Sequence, residues 1–290
     1  MSLATGAVLR ERFEIRGLLG RGGMGNVFRA FDRELGVEVA LKSVRVASPQ
    51  AFYRLKTEFR ALADLRHRNL VRLGELFGGD DDWFFSMELV EGLDFLHWVR
   101  GSSRSGRVHD TSRLSSPDGD EIEATGPRRV AQPPRFHEGR LRAVLTQIVV
   151  GLEALHRAGR VHRDVKPSNV VIEADTGRAV LLDFGLARGT ELHSTDSGRT
   201  IEGTAGYMSP EQAQGALATP ASDWYALGVM LFEALTGRLP FEGAPLEVLA
   251  QKVKNATPSP STFTLGVPED LDRICLALLE RDPERRAGPE

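Results

Sequence analysis

The spacing of apolar positions changes character once along this chain. Up to about residue 90 the apolar residues come in short runs separated by glycine-rich turns. Phe13–Leu19 and Asn26–Asp32 flank Gly20-Arg21-Gly22-Gly23-Met24-Gly25, which predicts a strand–turn–strand unit. Val37–Val44 predicts a further strand, and Leu70–Gly74 and Trp83–Val90 predict two more. Between them, Gln50–Leu65 places Phe52, Leu55, Phe59, Leu62 and Ala63 at the i, i+3/i+4 spacing of an amphipathic helix. From Gly139 onward the helical rhythm dominates. It predicts a long helix over Leu141–Ala158 closed by Gly159, then helices at Ala221–Thr236, about Pro245–Lys254 and Glu269–Glu280. The last would put Leu271, Ile274, Cys275, Leu278 and Leu279 on one face, making Cys275 a core residue. A strand-rich stretch, Val161–Leu186, interrupts the helices, and no internal repeat is present.

Composition narrows the class. A chain of 290 residues, 41% hydrophobic and 27% charged, can bury a core as one large domain or two lobes. Gly101–Arg135 breaks the pattern: 14 of its 35 residues are Gly, Ser or Pro, which predicts a disordered insertion offering Ser115, Ser116 and Thr125 for modification. A net charge of -3 exerts no global pull toward nucleic acid or anionic lipid. The longest apolar stretches, Val144–Leu155 and Ala226–Leu235, are too short and too polar to span a bilayer. Met1–Arg12 has no secretory apolar run. A single cysteine excludes an internal disulfide and fits a reducing compartment, so a cytoplasmic location is expected. Of the 37 basic residues only 5 are lysines, so each lysine within a motif carries weight.

Two of those lysines fall in chemically loaded places. Gly20-x-Gly22-x-x-Gly25-x-Val27 lets a backbone approach phosphates closely, and the strand predicted after its last glycine argues against a dinucleotide-binding helix. Fifteen residues on, Val39-Ala40-Leu41-Lys42 sets a lysine inside an apolar strand, where the ammonium needs a partner. Glu58, the one carboxylate between Gln50 and Ala63, is the expected one. His162-Arg163-Asp164-Val165-Lys166-Pro167-Ser168-Asn169 gathers a base, a cation and a metal ligand within a few residues. Asp183-Phe184-Gly185 adds a carboxylate suited to Mg²⁺ at the end of an apolar strand.

Together these motifs resemble the protein kinase catalytic domain of the eukaryotic-like serine/threonine type found in bacteria, from about Phe13 to Arg286. Gly203–Glu211 resembles the family's substrate-binding segment, Ser222–Gly228 the buried helix that anchors the catalytic loop, and Asp282–Arg286 the late motif whose final arginine pairs with Glu211. The resemblance implies an α+β bilobal fold: a small antiparallel β-sheet lobe with one regulatory helix over residues 11–91, and a larger, mainly helical lobe over 92–290. It also implies roles. Leu19, Gly20, Gly22, Gly25, Val27, Ala40, Met87, Glu88 and Val90 would enclose ATP, with Met87 at the rear of the pocket. Lys42, held by Glu58, would grip the α/β-phosphates, and Asn169 and Asp183 would hold Mg²⁺ (or Mn²⁺). Asp164 would accept the proton of a protein Ser/Thr hydroxyl, Lys166 would neutralise the γ-phosphate, and Thr204 would brace both. Arg163 would receive a phosphate placed by autophosphorylation on Thr200, Thr195 or Ser197, and a homodimer would allow this in trans. Leu62, Leu73, His162 and Phe184 match the apolar stack of active family members.

The alternative is a pseudokinase scaffold, which usually lacks one of the residues corresponding to Lys42, Asp164 or Asp183; all three are present. Family members continue past the position of Arg286 with a further helix, so this chain, ending at Glu290, is expected to be part of a longer polypeptide, one that could be anchored in a membrane beyond that point.

Overall fold

The computed structural model describes residues 4–22, 25–44, 48–78, 83–101, 136–184 and 205–288. The predicted insertion beyond Gly101 lies outside them, as do Thr204 and the three candidate phosphorylation sites.

Short β-rich runs separated by turns build the first half into a six-stranded antiparallel sheet. Its strands are β1 (Val8–Leu9), β2 (Phe13–Gly22), β3 (Gly25–Asp32), β4 (Val37–Val44), β5 (Leu73–Phe77) and β6 (Trp83–Glu88), ordered β1-β2-β3-β4-β6-β5. One face carries Phe13, Ile15, Phe28, Val39, Leu41 and Phe84 in a small cluster of its own. The other carries Ala40, Val44, Phe85 and Met87 and merges with the core of the helical half. Helix α1 (Pro49–Ala63) starts at Ser48, whose hydroxyl accepts from the Ala51 amide at 3.1 Å, with proline in the first turn. It packs Leu55, Phe59 and Leu62 onto the shared core.

Strand β5 starts three residues later than the periodicity predicts. Leu70 and Val71 are apolar for another reason: they lie against β9 (Ala179–Leu181). Leu70 pairs with Leu181, the Val71 amide donates to the Leu181 carbonyl at 2.9 Å, and the Leu181 amide donates to the Asn69 carbonyl at 2.8 Å. Asn69, 2% exposed, completes this seam by donating to the Ala179 carbonyl and the Gln147 amide oxygen.

The second half is helical around a buried axis. After β7 (Leu93–Asp94) come α2 (Phe95–Arg100) and α3 (Glu138–Arg157); β7, β8 (Val170–Ile172) and β9 form a three-stranded sheet. Short α4 (Pro210–Ala213) precedes α5 (Pro220–Thr236), α6 (Pro245–Lys254) and α7 (Glu269–Leu278). Helix α5 is buried without a break from Ser222 to Phe232, which explains its apolar character on every side. On α7, Leu271, Cys275 and Leu278 are buried, as is Leu279 just past its end, but Ile274 is 45% exposed. The core-facing stripe is narrower than the sequence suggests and excludes that residue.

Candidate active site

Pairing across the sheet aligns one set of side chains over the cleft between the lobes. Val27 lies opposite Lys42, Lys42 opposite Phe85 and Ala40 opposite Met87. Because alternate residues share a face, Ala40 and Lys42 project from β4 to the same side. Leu19 and Val27 pack against the same shared core from β2 and β3. Gly25 is required by geometry: its φ is +142°, and a Cβ there would lie 1.9 Å from the Ser43 carbonyl oxygen. The neighbouring Asn26 amide donates to Ser43 Oγ at 2.8 Å, fastening the end of the glycine turn to β4. Around Gly20, by contrast, nothing lies within 4 Å of a would-be Cβ.

Lys42 is 6% exposed, and its Nζ meets Asp183 Oδ1 at 2.7 Å. The expected Lys42–Glu58 pair is not formed; the cation beside Glu58 is Arg163, at 4.0 Å. A buried ammonium takes the carboxylate its surroundings hold nearest. Asp183 follows two residues after β9, whereas Glu58 stands on α1, so the position of that helix decides between them.

The His162–Asn169 loop hangs from α5. Asp223, 1% exposed, accepts from the backbone amides of His162 (2.7 Å) and Arg163 (2.8 Å) and meets His156 Nε2 at 2.8 Å. These bonds hold Arg163 at φ +68°, a left-handed conformation costing an L-residue about 1–2 kcal/mol. His162 is fully buried, and desolvation lowers its pKa below the ordinary imidazole value, favouring the neutral ring. That ring packs edge-on against Phe184, its centroid 6.2 Å away. Leu62 and Leu73 lie in the same core as Phe184.

Beyond the strained residue the polar groups converge. Lys166 Nζ meets Asp164 Oδ2 at 2.8 Å. Asn169 donates through Nδ2 to the Asp164 carbonyl at 2.8 Å and to its Oδ2 at 2.9 Å. The Leu182 amide donates to the Asn169 carbonyl at 2.8 Å, which brings Asp183, itself at φ +56°, beside the loop. With its amide nitrogen turned to Asp164, Asn169 has its oxygen on the other side, and Asp183 offers a carboxylate. Two hard oxygen donors suit a divalent cation that keeps much of its water. Among the described residues no cluster of three His, Cys, Asp or Glu forms a metal cage.

Met87 is 7% exposed and lies between Ala40 and Leu73. The Glu88 amide is engaged, donating to the Arg72 carbonyl at 2.9 Å, and its carboxylate pairs with Arg178. Val90 is buried in the shared core.

On the far side of Asp164 runs the segment Ala205–Ser209, leading into α4. Tyr207 donates its hydroxyl to Glu233 at 2.5 Å. Glu211 receives a two-pronged Arg286 guanidinium at 2.9 and 3.0 Å and the Ser222 hydroxyl at 2.9 Å. Burial alone would raise the Glu211 pKa, but the Arg286 fork, its own backbone amide and the Ser209 hydroxyl together outweigh it and the carboxyl sits below its ordinary value. Three participants were not singled out from sequence: His156, Arg178 and Lys252. His156 and Arg178 stand on elements whose periodicity reports only burial. Lys252 had a usable signal, the scarcity of lysine.

The family model described as protein kinase domain matches residues 13–290. The chain is 34% identical over 98% of its length to the serine/threonine-protein kinase PrkC of Bacillus subtilis, covering 40% of that protein. It is 35% identical over 97% of its length to PknL of Mycobacterium tuberculosis, covering 63%, and 34% identical over 94% to PknE of the same species, covering 43%. It thus spans between two fifths and two thirds of these relatives. No helix among the described residues is long and apolar enough to cross a membrane. The hung catalytic loop, the cleft lysine and these matches agree, and the chain belongs to the protein kinase domain family.

Proposed function

We propose that this chain transfers the γ-phosphoryl group of Mg²⁺-ATP to serine and threonine hydroxyls of proteins. The observation that carries this reading is the convergence of Asp164, Lys166 and Asn169 at one hydrogen-bonded point, with the Lys42–Asp183 pair on the adjoining strand end. Asp164 takes the proton of the attacking hydroxyl, and Lys166, already against it, stabilises charge on the transferred group. Asn169 and Asp183 hold the divalent cation, which supplies charge neutralisation on the phosphates when bound. Lys42 grips the α/β-phosphates beneath the Gly20–Gly25 turn. Leu19, Val27, Ala40 and Met87 enclose the adenine. Because the Glu88 amide is engaged, its carbonyl and the Val90 backbone are the groups left on this segment to hydrogen-bond the base.

Glu58 enters the cycle through its neighbours. While Asp183 holds Lys42, Glu58 stands by Arg163. A phosphate on Thr200, or on Thr195 or Ser197, offers Arg163 a stronger partner and frees Glu58 for Lys42. Thr204 braces Asp164 and Lys166. Homodimers would bring one copy's loop to another's cleft.

Incubation of the chain with ATP and Mg²⁺, followed by mass spectrometry, tests the reading. Phosphate should appear on the chain itself and on a basic acceptor protein, and Asp164→Asn should abolish both. No incorporation by the wild type would leave a pseudokinase scaffold instead.

A further inference from the structure

Helix α6 buries only two residues, Val248 and Lys252, one turn apart. Lys252 is 2% exposed, on a helix that elsewhere offers Leu246 to solvent at 77% exposure. An aliphatic side chain in its place would avoid the cost of desolvating an ammonium. What the lysine makes instead is specific. Its Nζ donates to the Gly206 carbonyl at 2.5 Å and to the Met208 carbonyl at 2.7 Å, and it sits 5.1 Å from the centre of the Tyr225 ring. Arg286 lies at the same distance from that ring. Among the described residues no carboxylate pairs with Lys252. Burial pulls its amine down to about 7, and a neutral amine still has the two N–H groups these carbonyls need.

The two carbonyls belong to the segment beside the catalytic loop. Met208 and Tyr207 border a cavity of about 10 Å³, room for roughly one water, whose other walls include Arg163, Asp164 and Gln212. A shift of the Met208 backbone therefore changes the approach to Asp164.

We infer that Lys252 is a positioning residue for the protein acceptor: from α6 it fixes the backbone at Gly206 and Met208, and so sets how the acceptor polypeptide is presented to Asp164. The inference rests on the proposed kinase activity. It requires the acceptor and ATP to respond differently when Lys252 changes, because its contacts at Gly206, Met208 and Tyr225 include none of the residues assigned to ATP.

The test is steady-state kinetics on the full chain, first incubated with ATP until its own phosphorylation is complete, with a basic acceptor protein and, separately, with no added acceptor. Lys252→Met should raise KM for the acceptor protein about tenfold, equivalent to about 1.4 kcal/mol. KM for ATP and acceptor-free ATP turnover should stay within about twofold. Lys252→Gln keeps two N–H donors without charge and should fall between, at about threefold; it decides the matter by the same split if the methionine variant does not fold. An unmoved acceptor KM, or equal losses in acceptor use and acceptor-free turnover, would overturn the proposal. Absence of ATP turnover in the wild type would remove the kinase reading itself.

Discussion

Asp223→Asn offers a sharp perturbation because it changes charge and hydrogen-bond polarity at nearly constant volume. The two backbone amides, His162 and Arg163, converge on different oxygens of the same carboxylate. An asparagine can present oxygen to only one of them; the other meets an NH₂ group, donor against donor. One bond to a charged acceptor is lost outright, about 1.5–3 kcal/mol, and a buried N–H is left unpaired. If the Arg163 amide is the one released, nothing then balances its left-handed conformation, about 1–2 kcal/mol of strain. The loop relaxes, and Asp164 moves with it. Removal of the buried charge returns part of its desolvation cost, so stability should fall by less than catalysis. The expected outcome is a loss of about 1–2 kcal/mol in urea unfolding. Phosphorylation kcat should drop about 100-fold, corresponding to about 2.7 kcal/mol of barrier. Unfolding and phosphopeptide kinetics on the same preparation measure both. A kcat within threefold of wild type, with stability lowered as expected, would refute the idea that Asp223 holds the loop in its working shape.

Three further outcomes are expected. Gly20→Ala should leave thermal stability unchanged or slightly raised while raising KM for ATP; Gly25→Ala, whose Cβ would collide with the Ser43 carbonyl, should lower the melting temperature as well, which a thermal shift series distinguishes. Arg286→Met should cost about 3–5 kcal/mol in denaturant unfolding, because it strands the Glu211 carboxylate inside the lobe. Lys252 sets a pH window for stability. Its amine lies at about 7 in the fold and near its ordinary value of about 10.4 in the unfolded chain. Between those limits the unfolded state binds the extra proton, so folding is favoured as pH rises, by up to about 1.4 kcal/mol per unit. In the fold, burial raises the Tyr225 phenol and the Glu211 carboxyl sits low, so neither of these neighbours titrates in step with the lysine. Wild type measured against Lys252→Met across that window should show the divergence, and parallel curves would contradict it.

The elements were largely legible because their patterns differ: short β-rich runs broken by turns for β2 to β4 and β6, three-to-four spacing for α1 and α3, and a long apolar run for α5. The polar constellation at Asp164 was legible because most of it is local, within eight residues. The choice between Glu58 and Asp183 for Lys42 was not. Both carboxylates are present in the sequence, and only the placement of α1 against β9 decides. Leu70 and Val71 misled for a related reason: an apolar pair reads the same whether it joins its own sheet or bridges to a distant strand. Ile274 shows a similar limit, since the width of a buried stripe depends on what packs against it. Lys252 could have been suspected, being one of five lysines and one turn from Val248, but its carbonyl partners lie more than forty residues away.

The seam at Asn69–Val71 constrains how this molecule can move. It ties the chain leaving α1 to β9, and β9 leads directly to Asp183, the partner of Lys42. A tie this close to the cleft lets the lobes turn but resists sliding. Any closing stroke should therefore be a rotation with its axis near residues 69–71. Asp183, two residues beyond Leu181, would travel little. In mechanical terms the Lys42–Asp183 contact then sits near the fulcrum, where small strains register first.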